Sequence, residues 1–340
     1  MEQTKEDNTG IEISQEELFQ SMNQLLSSAI TDLKSGNLYE GFKKYEGRIL
    51  HQTSRHVYVP LSYPRWQGET FSGKKLLVYR EQGLGDTLQF MRYLGFVKSR
   101  GGHVTFLPPH SLRRIAKKSL HAVVDCVADE IRLRDFDLFI PLLSLPMIFG
   151  TTLHTIPNRV PYIELEPEWV DQWKPYIRPE RVCKIGFVWS GKKNTILNRS
   201  CELSDFYPLF RVKNTAFYSL QVGEEASDLK KLPADFTVTD LSGQIQDFAD
   251  TAGAIANLDL IISIDTSVPH LSGAMGKPTW LVLPKLNEWR WLRDREDSPW
   301  YPTIKLYRQR TEGKWGPVFA KMADDLDRII NRNFERVARE

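Results

Sequence analysis

The chain is short of cysteine. Its 340 residues hold three, Cys126, Cys183 and Cys201. No two form a C-x-x-C pair, so neither a disulfide framework nor a cysteine zinc site is indicated. Such sparse cysteine suits a reduced, cytoplasmic setting. An excess of one charge is also missing: 45 Lys and Arg face 43 Asp and Glu, a net charge of +2. A dedicated nucleic-acid binder would show a strong basic excess, so no nucleic-acid partner is expected. Long apolar runs are absent too. The stretch 258–264 is broken by Asp259 and is far too short to span a bilayer. The first residues, MEQTKEDNTGIEISQEE, are polar and acidic and contain no apolar leader core. Residues 1–14 are expected to be disordered on composition, and no integral membrane segment is expected.

What remains is an ordinary globular mixture, 41% hydrophobic and 26% charged, long enough for about two domains. Leu18, Met22, Leu25, Leu26, Ile30 and Leu33 recur at helical spacing. Gly36-Asn37 breaks that pattern, and a second short helix follows from Leu38. Residues 15–51 thus read as a helical hairpin, either one tetratricopeptide-like unit or a plain hairpin packed on the main body. Residues 52–73, punctuated by Pro60, Pro64, Gly68 and Gly73, read as a linker or surface wrap.

From Lys75 onward strands and helices alternate. Strands are expected at 75–79, 103–107 and 137–142, with helices at 86–99 and 111–120. The pattern pauses between 150 and 179, which holds five prolines. A second series follows, with strands at 184–189, 216–220, 258–264, 279–283 and 304–307 and helices at 203–210, 245–256, 268–275 and 318–331. Alternation of this kind implies parallel sheets covered by helices. The expected architecture is α/β: two Rossmann-like units, 74–165 and 166–340, facing a cleft. Ligands in such sheets bind beyond the carboxyl ends of the strands.

Three segments occupy such ends. Glu81-Gln82-Gly83-Leu84-Gly85-Asp86 follows the first strand. Gly83 and Gly85 permit a tight turn and close approach to a ligand. Asp86 reads as a helix cap, or as a carboxylate able to take a proton from an attacking hydroxyl. Leu88 replaces the third glycine of a dinucleotide fingerprint, which weighs against an NAD-dependent oxidoreductase. Ser263 to Ala274 reads as strand, polar turn and helix start. Thr266, Ser267 and the helix end suit a diphosphate beside Asp265, with His270 either a phosphate donor or a structural histidine. Ser190-Gly191 then turns sharply, and Lys192, Lys193 and Arg199 offer cations nearby.

Other segments carry two readings each. Asp135-x-Asp137 reads as a metal-holding pair or as one face of a strand, and the strand is favoured. Arg113, Arg114, Lys117 and Lys118 form a basic helix face, able to touch an anionic membrane surface or simply solvated. The block 287–302, with Trp289, Arg290, Trp291, Trp300 and Tyr301, reads as a stacking surface for a base or sugar, or as a self-packed loop.

Together, Gly83-Leu84-Gly85-Asp86, the run Asp265 to Gly276 and the aromatic block resemble the bacterial glycosyltransferase domain found with tetratricopeptide repeats. That domain is similar to the ADP-heptose:lipopolysaccharide heptosyltransferases and, distantly, to O-linked N-acetylglucosamine transferases. The resemblance covers about residues 30–335. It implies a GT-B fold, a nucleotide-diphospho-sugar donor as co-substrate on the second unit, and a glycan, lipid-linked or protein acceptor on the first. It also implies inverting, metal-independent transfer, with no further cofactor. Asp86 matches the candidate base, and Thr266, Ser267 and His270 match the donor-phosphate motif. The chain departs from the pattern in having one helical unit only. The loop after Gly191 also lacks the histidine often found in relatives and keeps Asn198-Arg199-Ser200. The alternative is a catalytically inactive GT-B-like interaction module.

Overall fold

The computed structural model describes residues 15–50, 59, 60, 62–177, 182–191 and 199–337. The expected disorder of 1–14, part of the 52–73 segment and the expected site residue Lys192 lie outside the described residues.

Helices α1 (Gln15–Ser35) and α2 (Leu38–Tyr45) form the hairpin. Gly36 turns the chain between them at φ +90°, a backbone state that glycine adopts without steric cost. The inward stripe of α1 is Leu26, Ala29, Ile30 and Leu33, while Leu25 is exposed. Leu25 lies about 100° around the helix from Leu26, off the stripe that the 3.6-residue period defines.

The first lobe contains β1 (Lys75–Tyr79), α3 (Leu84–Phe90), α4 (Leu94–Lys98), β2 (His103–Leu107), α5 (Arg113–Leu120), β3 (Cys126–Val127), β4 (Leu138–Pro141) and α6 (Leu145–Ile148). Its four strands are parallel in the order β3-β2-β1-β4. The described part of 59–73 is no free linker. Trp66 and Phe71 are buried, and residues 64–66 exchange backbone hydrogen bonds with Phe139 of β4.

The second lobe contains α7 (Pro167–Asp171), β5 (Cys183–Val188), α8 (Tyr207–Phe210), β6 (Thr215–Ser219), β7 (Val238–Asp240), α9 (Phe248–Ala256), β8 (Leu260–Ile264), α10 (Ser267–Ala274), β9 (Thr279–Leu283), β10 (Ile304–Arg308) and α11 (Gly316–Val337). Its six strands are parallel in the order β10-β9-β8-β5-β6-β7. Helix α7 packs with this lobe: the Asn257 amide donates to the Val170 carbonyl at 3.0 Å.

Each sheet reverses its direction of winding once. The reversal falls between β1 and β4 in the first sheet and between β5 and β8 in the second. Such switch points open a crevice beyond the strand ends, because the loops on either side diverge. The lobes are not separate bodies. One apolar cluster runs from Leu33 and Phe42 of the hairpin through Leu88 and Phe90 to Leu271, Trp289 and Trp300 of the second lobe.

Candidate functional site

At the second switch point the β5 and β8 ends converge. Val188 is in register with Ser263. The loops beyond them touch: a Cβ on Gly191 would lie 3.3 Å from Thr266 Cγ2. The Gly191 N–H donates to the Ser200 hydroxyl at 3.1 Å, and the Ser190 and Ser200 hydroxyls are 3.3 Å apart. Ser190 itself is buried, and its N–H donates to the Gln221 side chain at 2.9 Å. Thr266 caps α10 by accepting from the Val268 N–H at 3.3 Å, which satisfies one of the helix's orphan donors. Thr266, Ser267, Gly191 and Arg199 are half-buried and so reach the surface of the crevice.

Asp265 lies beneath this turn and is 3% exposed. Its Oδ2 sits 3.6 Å from Arg199 Nη1, beyond hydrogen-bond reach, and has no hydrogen-bond partner among the described residues. Burial pushes its pKa up to about 6, against the opposing pull of Arg199 and the Trp291 indole. The indole does not reach hydrogen-bond geometry with it.

The first lobe meets this turn through α3. Gly83 is the helix N-cap, and the Asp86 carboxylate accepts its N–H at 2.8 Å. Asp86 is thus the third helical residue reaching back to the cap, and not the N-cap itself. The other Asp86 oxygen pairs with Arg290 Nη2 across the lobes. Arg290 also reaches Glu288 at 3.3 Å and lies over the Trp289 ring. Gly85 abuts His270 so closely that a Cβ there would lie 2.7 Å from the imidazole. Its missing side chain admits the other lobe, where a ligand was expected.

His270 is 4% exposed. Its Nδ1 is 3.0 Å from the Tyr301 hydroxyl, and its ring packs on Trp291. Burial, with Arg290, Arg92 and Arg199 nearby, drives its pKa well below the ordinary histidine range. The ring is neutral, and Nε2 on the Gly85 side is the nitrogen not engaged by Tyr301.

The aromatic block is not a stacking surface. Trp289, Trp291, Trp300 and Tyr301 are buried. Trp289 packs edge-on against Phe42 of α2 at 5.5 Å and stacks on Phe90 of α3 at 6.3 Å. No face of it is left for a base or sugar, and the Arg290 charge is committed to Asp86. Apolar area on this scale is worth more inside a three-way junction than in a loop. The self-packed reading falls short as well, because the packing partners come from the hairpin and the first lobe.

The basic face of α5 is paired rather than free. Lys117 reaches Asp129 at 2.8 Å and Lys118 reaches Glu166 at 3.1 Å. Arg114 bonds Asp247 and Asp250 of the second lobe, each at 3.1 Å. Asp137 accepts the Lys75 N–H at 2.8 Å, as a strand-edge residue. Among the described residues no group of three or more His, Cys, Asp or Glu side chains could hold a metal ion, and no helix is long and apolar enough to cross a membrane.

Sequence reasoning missed the first-lobe switch point. Arg48, from the turn after α2, is buried there. It donates to Glu81 at 2.6 and 3.2 Å and to the Ser144 hydroxyl at 2.9 Å. Glu81 also accepts the Leu143 N–H at 3.1 Å. The one available signal was a glutamate two residues after an apolar strand; its arginine partner is 33 residues away.

No family model matches the chain. Protein FlbA of Caulobacter vibrioides is 24% identical over 321 residues, covering 86% of this chain and 53% of that protein. The chain thus spans about half the length of the curated relative it matches. Among solved structures, a family 9 glycosyl transferase from Veillonella parvula superposes with a TM-score of 0.53 at 12% identity, covering 72% of this chain and 88% of that one. The E. coli heptosyltransferase WaaC, solved with ADP-2-deoxy-2-fluoro heptose, gives 0.51 at 12% identity over 76% of this chain and 99% of its own. The chain has a GT-B-like α/β fold. TibC from enterotoxigenic E. coli, described as an iron-containing dodecameric glycosyltransferase, gives 0.50 at 9% identity, covering 79% and 78%. These identities establish common architecture, and chemistry must be argued from the site.

Proposed function

We propose that the chain transfers a sugar from a nucleotide-diphospho-sugar to a hydroxyl acceptor. The observation that carries this reading is the second switch point. There Ser190, Gly191, Arg199, Thr266 and Ser267, from two adjacent strand ends, converge on one crevice beside a helix N-terminus. Hydroxyls, backbone N–H groups and a guanidinium suit the negative charge of a departing diphosphate. The neighbours' printed names, heptosyltransferase and ADP-heptose analogue, agree with a nucleotide-sugar donor.

In this reading the acceptor lies against the Gly83–Asp86 loop, and Asp86 assists removal of its proton. Both Asp86 oxygens already accept one donor. Each carboxylate oxygen has a second lone pair, so the proton is taken there. Transfer proceeds with inversion and without a metal, since helix end, Arg199 and Lys192 carry the leaving-group charge. His270, buried against Gly85, acts by holding the turn in place. A hexose or heptose is transferred to a glycan, a lipid-linked acceptor or a protein, and the hairpin serves as a single tetratricopeptide-like unit.

The decisive experiment is a thermal-shift and calorimetry screen of UDP, ADP, GDP and their sugars. One nucleotide should bind, and Thr266→Val or Arg199→Gln should weaken it. Failure of all of them to bind would discard the reading.

A second reading has its own observation. With both Asp86 oxygens engaged and Arg290 committed to one of them, the chain suits a non-catalytic GT-B-like module acting through its hairpin. Nucleotide binding without transfer or hydrolysis across the sugar panel would favour it.

A further inference from the structure

Beyond the carboxyl ends of β9 and β10, away from the β5/β8 crevice, lies a cavity of about 850 Å³. Its walls are the 284–296 segment, the end of β10 and the first turns of α11. Lys285, Arg293, Arg310 and Lys314 line it and are exposed. Among the described residues none of these four lies in an ion pair, whereas the lining Lys321 and Arg295 are paired with Glu296 and Asp297. The acidic lining is Asp294 and Glu296. Four unpaired cations held around one concavity repel one another unless an anion sits among them.

A second observation points the same way. Gln309, in the same wall, is 5% exposed. Its Oε1 accepts the Lys285 N–H at 3.4 Å, while its Nε2 has no hydrogen-bond partner. A buried donor left unmatched costs more than one matched by a ligand. Pro317 and Val318, at the start of the 22-residue helix α11, also line the cavity, so the positive end of that helix faces it. No aromatic face is offered: Tyr307 is buried in the wall. Charge, then, is what this site reads.

We propose that this cavity binds a ligand bearing two or more closely spaced phosphate groups, with Lys285, Arg293, Arg310 and Lys314 as its cations and the Gln309 amide as its buried donor. One phosphate alone cannot engage cations spread over such a volume, whereas linked phosphates can. The site shares no residue with the β5/β8 crevice, so it stands whether or not the sugar-transfer reading does.

The test is calorimetry on the full chain with inorganic tripolyphosphate, and co-sedimentation with phosphatidylcholine vesicles containing phosphatidylinositol bisphosphate. The Arg310→Gln/Lys314→Gln variant changes two exposed side chains and should keep the wild-type melting temperature. It is expected to lose about tenfold in affinity for tripolyphosphate if the phosphates come from a soluble ligand, or for the vesicles if they come from a headgroup. Thr266→Val weakens the other crevice, so it should leave vesicle binding unchanged, and the tenfold loss in the double variant should persist on a Thr266→Val background. Absence of binding in both assays overturns the proposal. So does equal affinity in the double variant, whether Thr266 is wild type or Val.

Discussion

Gly85 and His270 touch across the two lobes, with room for a hydrogen on the glycine and for nothing larger: a Cβ would lie 2.7 Å from the imidazole Cδ2. The contact couples the first-lobe loop to the β8–α10 turn. It sits one residue from the Asp86–Arg290 pair. Loop and turn are therefore held against each other between the two lobes.

Gly85→Ala sets two effects in opposition. Gly85 lies within α3, where alanine favours the helix by about 1 kcal/mol. The buried imidazole cannot retreat, because Trp291 and Tyr301 pack on it, and overpacking costs about 1–3 kcal/mol. Net destabilisation is expected by urea denaturation. Gly243→Ala, where a Cβ meets nothing within 4 Å, is the neutral control.

Asp86→Asn preserves an oxygen for the Gly83 N–H but removes the charge facing Arg290. Glu288 remains as the second partner of Arg290, so the loss should stay below the about 3–5 kcal/mol of a wholly uncompensated buried charge. The Asp86→Asn/Arg290→Met double variant should recover much of this, which a double-mutant cycle measures. If Asp86 is the base, donor affinity in the single variant stays near wild type while transfer falls. Retained transfer would leave Asp86 with its cap and its ion pair only.

Asp265 gives a pH dependence with a definite sign. Its folded pKa, about 6, lies above the unfolded carboxylate value of about 4. Between these values the folded chain binds the extra proton, so this group's contribution to stability falls as pH rises through the window. Asp265→Asn lacks the effect. Its stability relative to wild type should rise by up to about 3 kcal/mol between about pH 4 and 6, read by denaturation at each pH. A flat difference would mean that Asp265 titrates normally.

Arg48→Met leaves Glu81 and Glu46 without their shared cation in a buried site. A loss of about 3–5 kcal/mol is expected, and the hairpin should become the first segment cut by limited proteolysis. Trp289→Ala should also loosen the hairpin, through lost packing on Phe42 and Tyr45. Nucleotide affinity of the folded fraction should stay unchanged, because Trp289 has no open face.

Local pattern was enough for the alternating strands and helices. The 279–283 strand matches β9 residue for residue, because apolar runs bounded by turn residues are set by nearby chemistry. β3 and β7 went unseen: at two and three residues they are too short to show a period, and only pairing with β2 and β6 makes them strands. The polar turn after β8 was legible in the same way, whereas its place beside β5 comes from the sheet order.

Partnerships were not legible. Asp86 and Arg290 lie 204 residues apart, and nothing near either announces the other. Trp289 looked available because tryptophans in a loop suggest a surface; Phe42 and Phe90, brought in by the hairpin and by α3, bury it. Short-range periodicity is written along the chain, so composition and spacing dictate the elements and their layering. Charge pairing and burial depend on which distant surfaces meet. Only the closed arrangement of hairpin and two lobes could decide which side chains remain free for chemistry.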